Sequence, residues 1–250
     1  MHIDIFFILA GVGLLAGFID SIVGGGGLLC IPALLSVGLP PHIALGSNKL
    51  AGTMGVLNAN YVYLKKRLYR PRLWLFGFAC ALLGAAGGAI AIHFIAANWL
   101  NKVIPFVLII IAVYMAFPKN LRNKGKPFDY HPPKLGGGIL GFVLGFYDGV
   151  FGPGTGSFWT TALVFFFKLD LLQATAIAKL MNFISNLVAT IIFAYYGSIN
   201  YPTAFALMLG YMLGAYFGAN SAIKHGERLI KPLFLTIVTV IAIKLVWQYW

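Results

Sequence analysis

Eight long apolar stretches, near residues 5–35, 43–64, 73–96, 98–117, 136–167, 171–196, 202–223 and 229–250, take up most of the chain's 250 residues. Six have about the twenty residues needed to cross a hydrocarbon core of roughly 30 Å. Lipid offers no water to open backbone groups, so the spacing predicts an all-α polytopic membrane protein with the lipid bilayer as its solvent. Charge agrees: 18 Lys and Arg with 6 Asp and Glu make 10% of the residues, against roughly 25% in a soluble domain. The net charge of +12 would suit a nucleic acid, but thirteen of the basic residues fall in three short gaps, 65–72, 119–134 and 224–231. The positive-inside bias produces that clustering, and no nucleic-acid partner is expected. Cys30 and Cys80 lie in apolar runs and read as small packing residues, not as a disulfide or metal ligands. The start, MHIDIFF, carries no Lys or Arg before its apolar run, so it does not read as a cleaved signal peptide.

The first and fifth runs do not fit a simple crossing. GGGG at 24–27 cuts one and GPGTG at 152–156 cuts the other. Each is read as a broken, re-entrant segment, with an N-terminal arm of about fifteen residues and a shorter second arm, neither long enough at about 1.5 Å per residue to cross alone.

The chain also resembles itself. GFIDSIVGGGG (17–27) matches GFYDGVFGPGT (145–155) at an offset of 128, which aligns Asp20 with Asp148 and Gly24 with Gly152. ALGSNKLAGTMG (44–55) matches ATAIAKLMNFIS (174–185) at an offset of 130, which aligns Lys49 with Lys179, and Gly84 and Gly88 then meet Gly214 and Gly218. Charge in equivalent loops is opposite: 65–72 holds five basic residues and 197–202 none, whereas 97–102 holds only Lys102 and 224–231 holds three. By the positive-inside bias equivalent loops face opposite sides, so the expected architecture is two inverted repeats, each a glycine-broken helix plus three transmembrane helices. Repeat 1 is 1–118 (broken helix 5–35, helices 43–64, 73–96 and 98–117). A cytoplasmic linker covers 119–134. Repeat 2 is 135–250 (broken helix 136–167, helices 171–196, 202–223 and 229–250). Both termini are then outside. A parallel duplication with full crossings throughout is the competing arrangement.

Of the six acids, Asp4, Asp129, Asp170 and Glu227 lie in loops or at an end, leaving Asp20 and Asp148 inside apolar segments. An acid within a bilayer costs several kcal/mol and normally faces a bundle interior or a water cavity. Each is a candidate coupling site for a proton or another ion, or a bracket on the broken backbone; the plainer reading is that each only accepts hydrogen bonds from its own glycine break. The breaks lack the Lys-Ser/Thr of a phosphate-binding loop. Glycine there lets a half-helix point its N-terminus, with free N–H groups and partial positive charge, at the midplane, which makes Gly24, Gly25, Gly26, Gly152, Gly154 and Thr155 candidates for binding a small anionic substrate. Close helix packing competes as the reason for glycine, notably at Gly84, Gly87 and Gly88. Lys49 and Lys179 follow the breaks, with Asn48, Asn182 and Asn186 near them, and 179, 182 and 186 share one helix face. These join the candidate anion site, with snorkelling as the competing account of the lysines. His93 receives no role. No nucleophile–base pair, HExxH metal motif or cofactor signature is present, so neither an enzyme nor a bound cofactor is expected.

At these residues the sequence resembles the sulfite exporter TauE/SafE family, also grouped with toluene-sulfonate uptake permeases. The resemblance runs over essentially the whole chain and rests on GFIDSIVGGGGLLCIPALL (17–35), ALGSNKLAGTMG (44–55), GFYDGVFGPGTGSF (145–158) and ATAIAKLMNFISN (174–186). In the second half GPGTG and AIAK replace the more polar run usual in the family, so the halves need not contribute equally. The resemblance implies secondary transport of sulfite, organosulfonates or related sulfur anions across the cytoplasmic membrane of a prokaryote. A passive anion channel and a membrane-embedded enzyme are the alternatives.

Overall fold

The computed structural model describes residues 3–116 and 134–225, together with Ile243 and Trp247. The predicted helix 229–250 and most of the 119–134 linker lie outside the described residues. Those described form helices only: α1 (Ile3–Val23), α2 (Gly27–Ser36), α3 (Pro41–Lys65), α4 (Leu75–Ala91), α5 (Ala97–Ala116), α6 (Lys134–Val150), α7 (Thr155–Phe167), α8 (Leu171–Tyr195) and α9 (Tyr201–His225). Short 3-10 turns at Pro71–Trp74 and Ile92–Phe94 extend α4 at both ends.

Local chemistry sets these boundaries. Pro41 opens α3, where a missing N–H costs nothing. The Asp170 carboxylate accepts from Leu172 N (3.0 Å) and caps α8. Five described helical segments are long and apolar enough to cross a membrane: Ile3–Val23, Pro71–Phe94, Ala97–Met115, Leu171–Tyr195 and Tyr201–Lys224. α3 is equally long at 25 residues, but it carries Ser47, Asn48, Lys49, Thr53 and Asn60, all buried, which lower its apolarity.

Both glycine clusters break their helices as expected. Gly24 and Gly25 (φ +76° and +136°) separate α1 from α2, and Gly152 and Gly154 (φ +88° and +77°) separate α6 from α7. These left-handed conformations suit glycine, which has no Cβ to clash. One expectation changes. The first arm is not fifteen residues but 21, because the helix starts at Ile3 and runs unbroken to Val23, a rise of about 31 Å that suffices for a crossing. The second arms are short, with 10 residues in α2 and 13 in α7.

The halves are interlaced. α1 packs chiefly on α9, and α6 on α4. A Cβ at Gly13 or Gly17 would sit 2.2 Å from the carbonyl oxygen of Leu207 or Tyr211, and one at Gly214 or Gly218 would meet Leu14 or Phe18 in the same way. The α4–α6 seam repeats this: Gly84 and Gly88 lie against the carbonyls of Phe142 and Phe146, Gly141 and Gly145 against those of Gly77 and Ala81. Small residues let backbones touch where apolar lipid gives helices no reason to associate otherwise. Gly87, by contrast, meets only the Phe146 ring at 3.6 Å.

Helix directions follow from the order of contacts. Along α3 and α8, Gly46 lies against Phe193, Thr53 Oγ1 is 3.0 Å from Thr190 Oγ1, and Asn60 Nδ2 donates to Lys179 O (3.0 Å). Positions rise on one helix as they fall on the other, so α3 and α8 run antiparallel.

Candidate functional site

Lys49 and Lys179 are each the ninth residue of a 25-residue helix, and neither snorkels: their side chains are 0% and 1% exposed. Each ammonium crosses to the other half. Lys49 Nζ donates to Asp148 Oδ1 (2.7 Å) and to the Asp148 carbonyl. Lys179 Nζ donates to Asp20 Oδ2 (3.0 Å) and to the Asp20 carbonyl. Each lysine thus grips both the carboxylate and the backbone where the partner half's broken helix ends. With the four charges buried, the attraction far exceeds that of an exposed pair, and removing one partner would strand the other.

The carboxylates differ in their remaining partners. Asp20 Oδ1 accepts from Gly25 N (2.8 Å) and Gly26 N (3.1 Å), so it does bracket its own break. Asp148 makes no such backbone contact among the described residues. Its Oδ2 accepts from Ser185, and Thr155 Oγ1 lies 3.3 Å from Oδ1 and 2.7 Å from Gly152 O. Position 185 aligns with Gly55, and the space Gly55 leaves is taken by the Tyr211 ring.

The two breaks abut. A Cβ on Gly24 would be 2.4 Å from Ser157 N, and one on Gly27 would be 3.4 Å from Pro153. Beside this junction lies a cavity of about 20 Å³, lined by the glycine backbones 25, 27 and 152, by Asn48, Asn182 and Asn186, and by Asp20 and Tyr211. Gly52 and Val56 of α3 complete it. Its volume holds about one water. Asn48 and Asn182 are buried, yet the Oδ1 of each has no hydrogen-bond partner among the described residues. Unsatisfied buried amides are costly and normally have a partner that shares their cavity.

Of the residues singled out from the sequence, Asp20, Gly25, Asn48, Gly152, Asn182 and Asn186 therefore reach the cavity. Lys49 and Lys179 stand behind it, held by the carboxylates. Gly24 faces the start of α7, Gly26 faces the Tyr211 hydroxyl, Gly154 faces Ile111 of α5, and Thr155 turns to Gly152 and Asp148. The aromatic residues near the breaks, Phe18, Phe146, Phe158 and Trp159, do not line it. Tyr211 and Val56 do. Ser185 was legible in principle, since it shares the polar face of Asn182 and Asn186. Tyr211 had no signal, being one aromatic in an apolar helix.

Supporting contacts hold the lysine helices. Thr53 Oγ1 donates to Lys49 O (2.7 Å), and Tyr63 donates to Ser21 O (2.6 Å). Tyr69, in the basic loop, donates to Asn60 Oδ1 (3.0 Å), and Asn60 in turn reaches Lys179 O. Burial pushes the Tyr69 phenol up from its ordinary range, so it stays a donor. His93 stacks on Tyr196 (4.2 Å between centroids) at one end of the bundle, a packing role. Among the described residues no three His, Cys, Asp or Glu side chains converge as metal ligands would.

Comparison with known proteins gives this arrangement a context. The model of the sulfite exporter TauE/SafE family matches residues 9–245. A probable membrane transporter protein of Haemophilus influenzae is 39% identical over 98% of this chain and 96% of its own length. The probable membrane transporter protein YfcA of Escherichia coli K12 is 34% identical over 96% of this chain and 89% of its own. YunE of Bacillus subtilis, named in the same way, is 25% identical over 97% and 98%. No solved structure matches the chain significantly. A multi-pass helical protein with a polar cavity between two helix breaks, matched over nearly its whole length, belongs to the sulfite exporter TauE/SafE family of membrane transporters.

Proposed function

We propose that the protein is a secondary transporter of small sulfur-containing oxyanions, sulfite or an organosulfonate, working by alternating access in the cytoplasmic membrane of a prokaryote. The observation that carries this reading is the cavity where two broken helices meet, with the buried Asn48 and Asn182 side chains, whose Oδ1 atoms have no partner among the described residues, and the backbone of Gly25 and Gly152 at its wall. A tetrahedral oxyanion offers several acceptor oxygens to amide donors and to the N-terminus of a half-helix. The amides can present nitrogen or oxygen by turning about their last torsion. The substrate site is formed by Gly25, Asn48, Gly152, Asn182 and Asn186, with Lys179 supplying charge. The sulfur class comes from the family.

The inverted-repeat topology belongs to the same proposal. The antiparallel course of α3 and α8, which occupy equivalent places in the two halves, supports it over a parallel duplication. On this topology the 65–72 loop and the linker are cytoplasmic and both termini are outside. A cavity with room for about one water is smaller than the substrate. The conformation described is therefore closed, and the halves move apart on one side or the other to admit the anion.

The test is purified protein in proteoliposomes, offered radiolabelled sulfite or methanesulfonate with and without ion gradients. Saturable uptake that depends on a gradient, with the solute recovered unchanged, is expected. Non-saturating flux independent of any counter-ion would identify a channel, a changed solute would identify an enzyme, and no flux of either anion would end the proposal.

A further inference from the structure

Among the described residues the buried charges at the junction sum to zero: Lys49 and Lys179 against Asp20 and Asp148. An anion entering this place brings one negative charge into a region of low dielectric with nothing left over to balance it. Both ammonium groups are already satisfied by carboxylates, so the donors best suited to an oxyanion are occupied. The occupation is most complete at Asp20. Its carboxylate takes two consecutive backbone N–H groups at the start of α2, from Gly25 and Gly26, together with the Lys179 ammonium. Two adjacent amides at a helix N-terminus and one cation are the donor set that binds free oxyanions.

On this basis, and resting on the transport function proposed above, we infer that the Asp20 carboxylate is a resident stand-in for the transported anion, and that substrate binds by replacing it as Asp20 takes up a proton. The proton comes from the aqueous side by which the anion enters and settles on the carboxyl group. The neutral carboxyl then gives up its place at Gly25 N, Gly26 N and Lys179 Nζ to the oxyanion. The net charge of the loaded site stays what it was, and anion and proton cross together in a one-to-one ratio. The wall has what is needed to receive the displaced carboxyl: Asn48 Oδ1 and Asn182 Oδ1 are acceptors without partners, and a protonated carboxyl is a donor.

Asp148 is not equivalent. It does not line the cavity, and Lys49, Ser185 and Thr155 hold it from three sides. The titratable groups in electrostatic reach of Asp20 are Lys179 on α8, Tyr211 on α9 and Cys30 on α2, with the Lys49–Asp148 pair beyond Gly152. Of these, Lys179 is the charged group within contact distance of Asp20, at 3.0 Å.

The inference is tested by calorimetric titration of the full-length protein in detergent with methanesulfonate and with ethanesulfonate, monoanions that gain no proton near neutral pH. Running each titration in two buffers of different ionisation enthalpy counts the protons taken up. The expected result is about one proton per anion and an affinity that rises up to about tenfold for each unit of pH lowered. Asp20→Asn, which presents a permanently neutral side chain, should bind without proton uptake and with a flat pH profile. Binding by the parent protein without proton uptake overturns the inference and leaves the anion site standing. Retained proton uptake in a folded Asp20→Asn variant overturns it as well. If that variant does not fold, the proton count on the parent protein decides. Failure of both anions to bind the parent protein at any pH ends the transport proposal itself, and the inference with it.

Discussion

The Lys49–Asp148 pair is a strut between the halves, and its contribution can be measured without reference to substrate. Lys49→Met leaves the Asp148 carboxylate in a buried place with, among the described residues, the Ser185 and Thr155 hydroxyls as donors. Asp148→Leu leaves the Lys49 ammonium with a backbone carbonyl in place of its counter-ion. Either single change should cost about 3 to 5 kcal/mol, the usual loss when one member of a buried pair is removed. For a chain of this size that is on the order of 10 °C in unfolding temperature. The double variant should recover most of the loss, because no charge is left unpaired. The hydroxyls also have other acceptors: Ser185 has Met181 O at 3.1 Å and Thr155 has Gly152 O at 2.7 Å. The assay is thermal unfolding in detergent, followed by a thiol-reactive dye that reaches buried Cys30 only on unfolding, in a Cys80→Ala background. Additive losses in the double variant, or single variants as stable as the parent, would refute the pair as an energetic link.

Topology can be read by placing single cysteines at exposed Lys66 and Asn98 in a chain lacking Cys30 and Cys80; an impermeant thiol reagent should label position 98 from outside and position 66 only from inside. Labelling of both from one side would dismiss the proposed orientation. Gly52→Ala should fold normally, since its Cβ would have nothing nearer than Asn186 Oδ1 at 3.8 Å, yet weaken anion binding by filling the cavity; equal affinity would mean the site lies elsewhere. Gly88→Ala, whose Cβ would lie 2.2 Å from Phe146 O, should lower stability by about 1 to 3 kcal/mol, while Gly87→Ala stays near the parent in the same unfolding assay. Tyr211→Phe removes a hydroxyl at the cavity wall and should shift the relative affinity for sulfite against methanesulfonate in competition titrations; an unchanged ratio would remove Tyr211 from recognition.

Much of this was legible in the sequence, because bilayer chemistry leaves few options. Apolar length alone located α3, α4, α5, α8 and α9 to within a few residues, and the glycine clusters marked the breaks. Self-similarity paired Asp20 with Asp148 and Lys49 with Lys179. What it could not supply is partner choice. Equivalent residues in a duplicated chain give the same pattern whether each lysine meets its own half's aspartate or the other's, and only the path of the chain in space decides. The first arm was judged too short: α1 begins at Ile3, just before the apolar run, and continues past Asp20 to Val23, directly before the first break glycine. Glycine roles were legible only as a class. At Gly26, marked from the sequence for anion binding, a Cβ would lie 2.0 Å from the Tyr211 hydroxyl and 2.9 Å from Ala16 O, so glycine there serves packing.

The seam between α1 and α9 also bears on how the chain is made. The carbonyl that receives Gly13 belongs to Leu207, which leaves the ribosome roughly two hundred residues later. Helix α1 therefore waits while α2 to α8 are made with its glycine face unmatched. α4, by comparison, meets α6 soon after it. The α4–α6 seam can form while translation continues, and the α1–α9 seam closes after it, so of these two seams the one in the middle of the chain should assemble first. A stalled chain ending before α9 would present the bare face of α1 to the membrane and to whatever quality control patrols it, whereas the two halves made as separate polypeptides in one cell have, in principle, the surfaces to find each other.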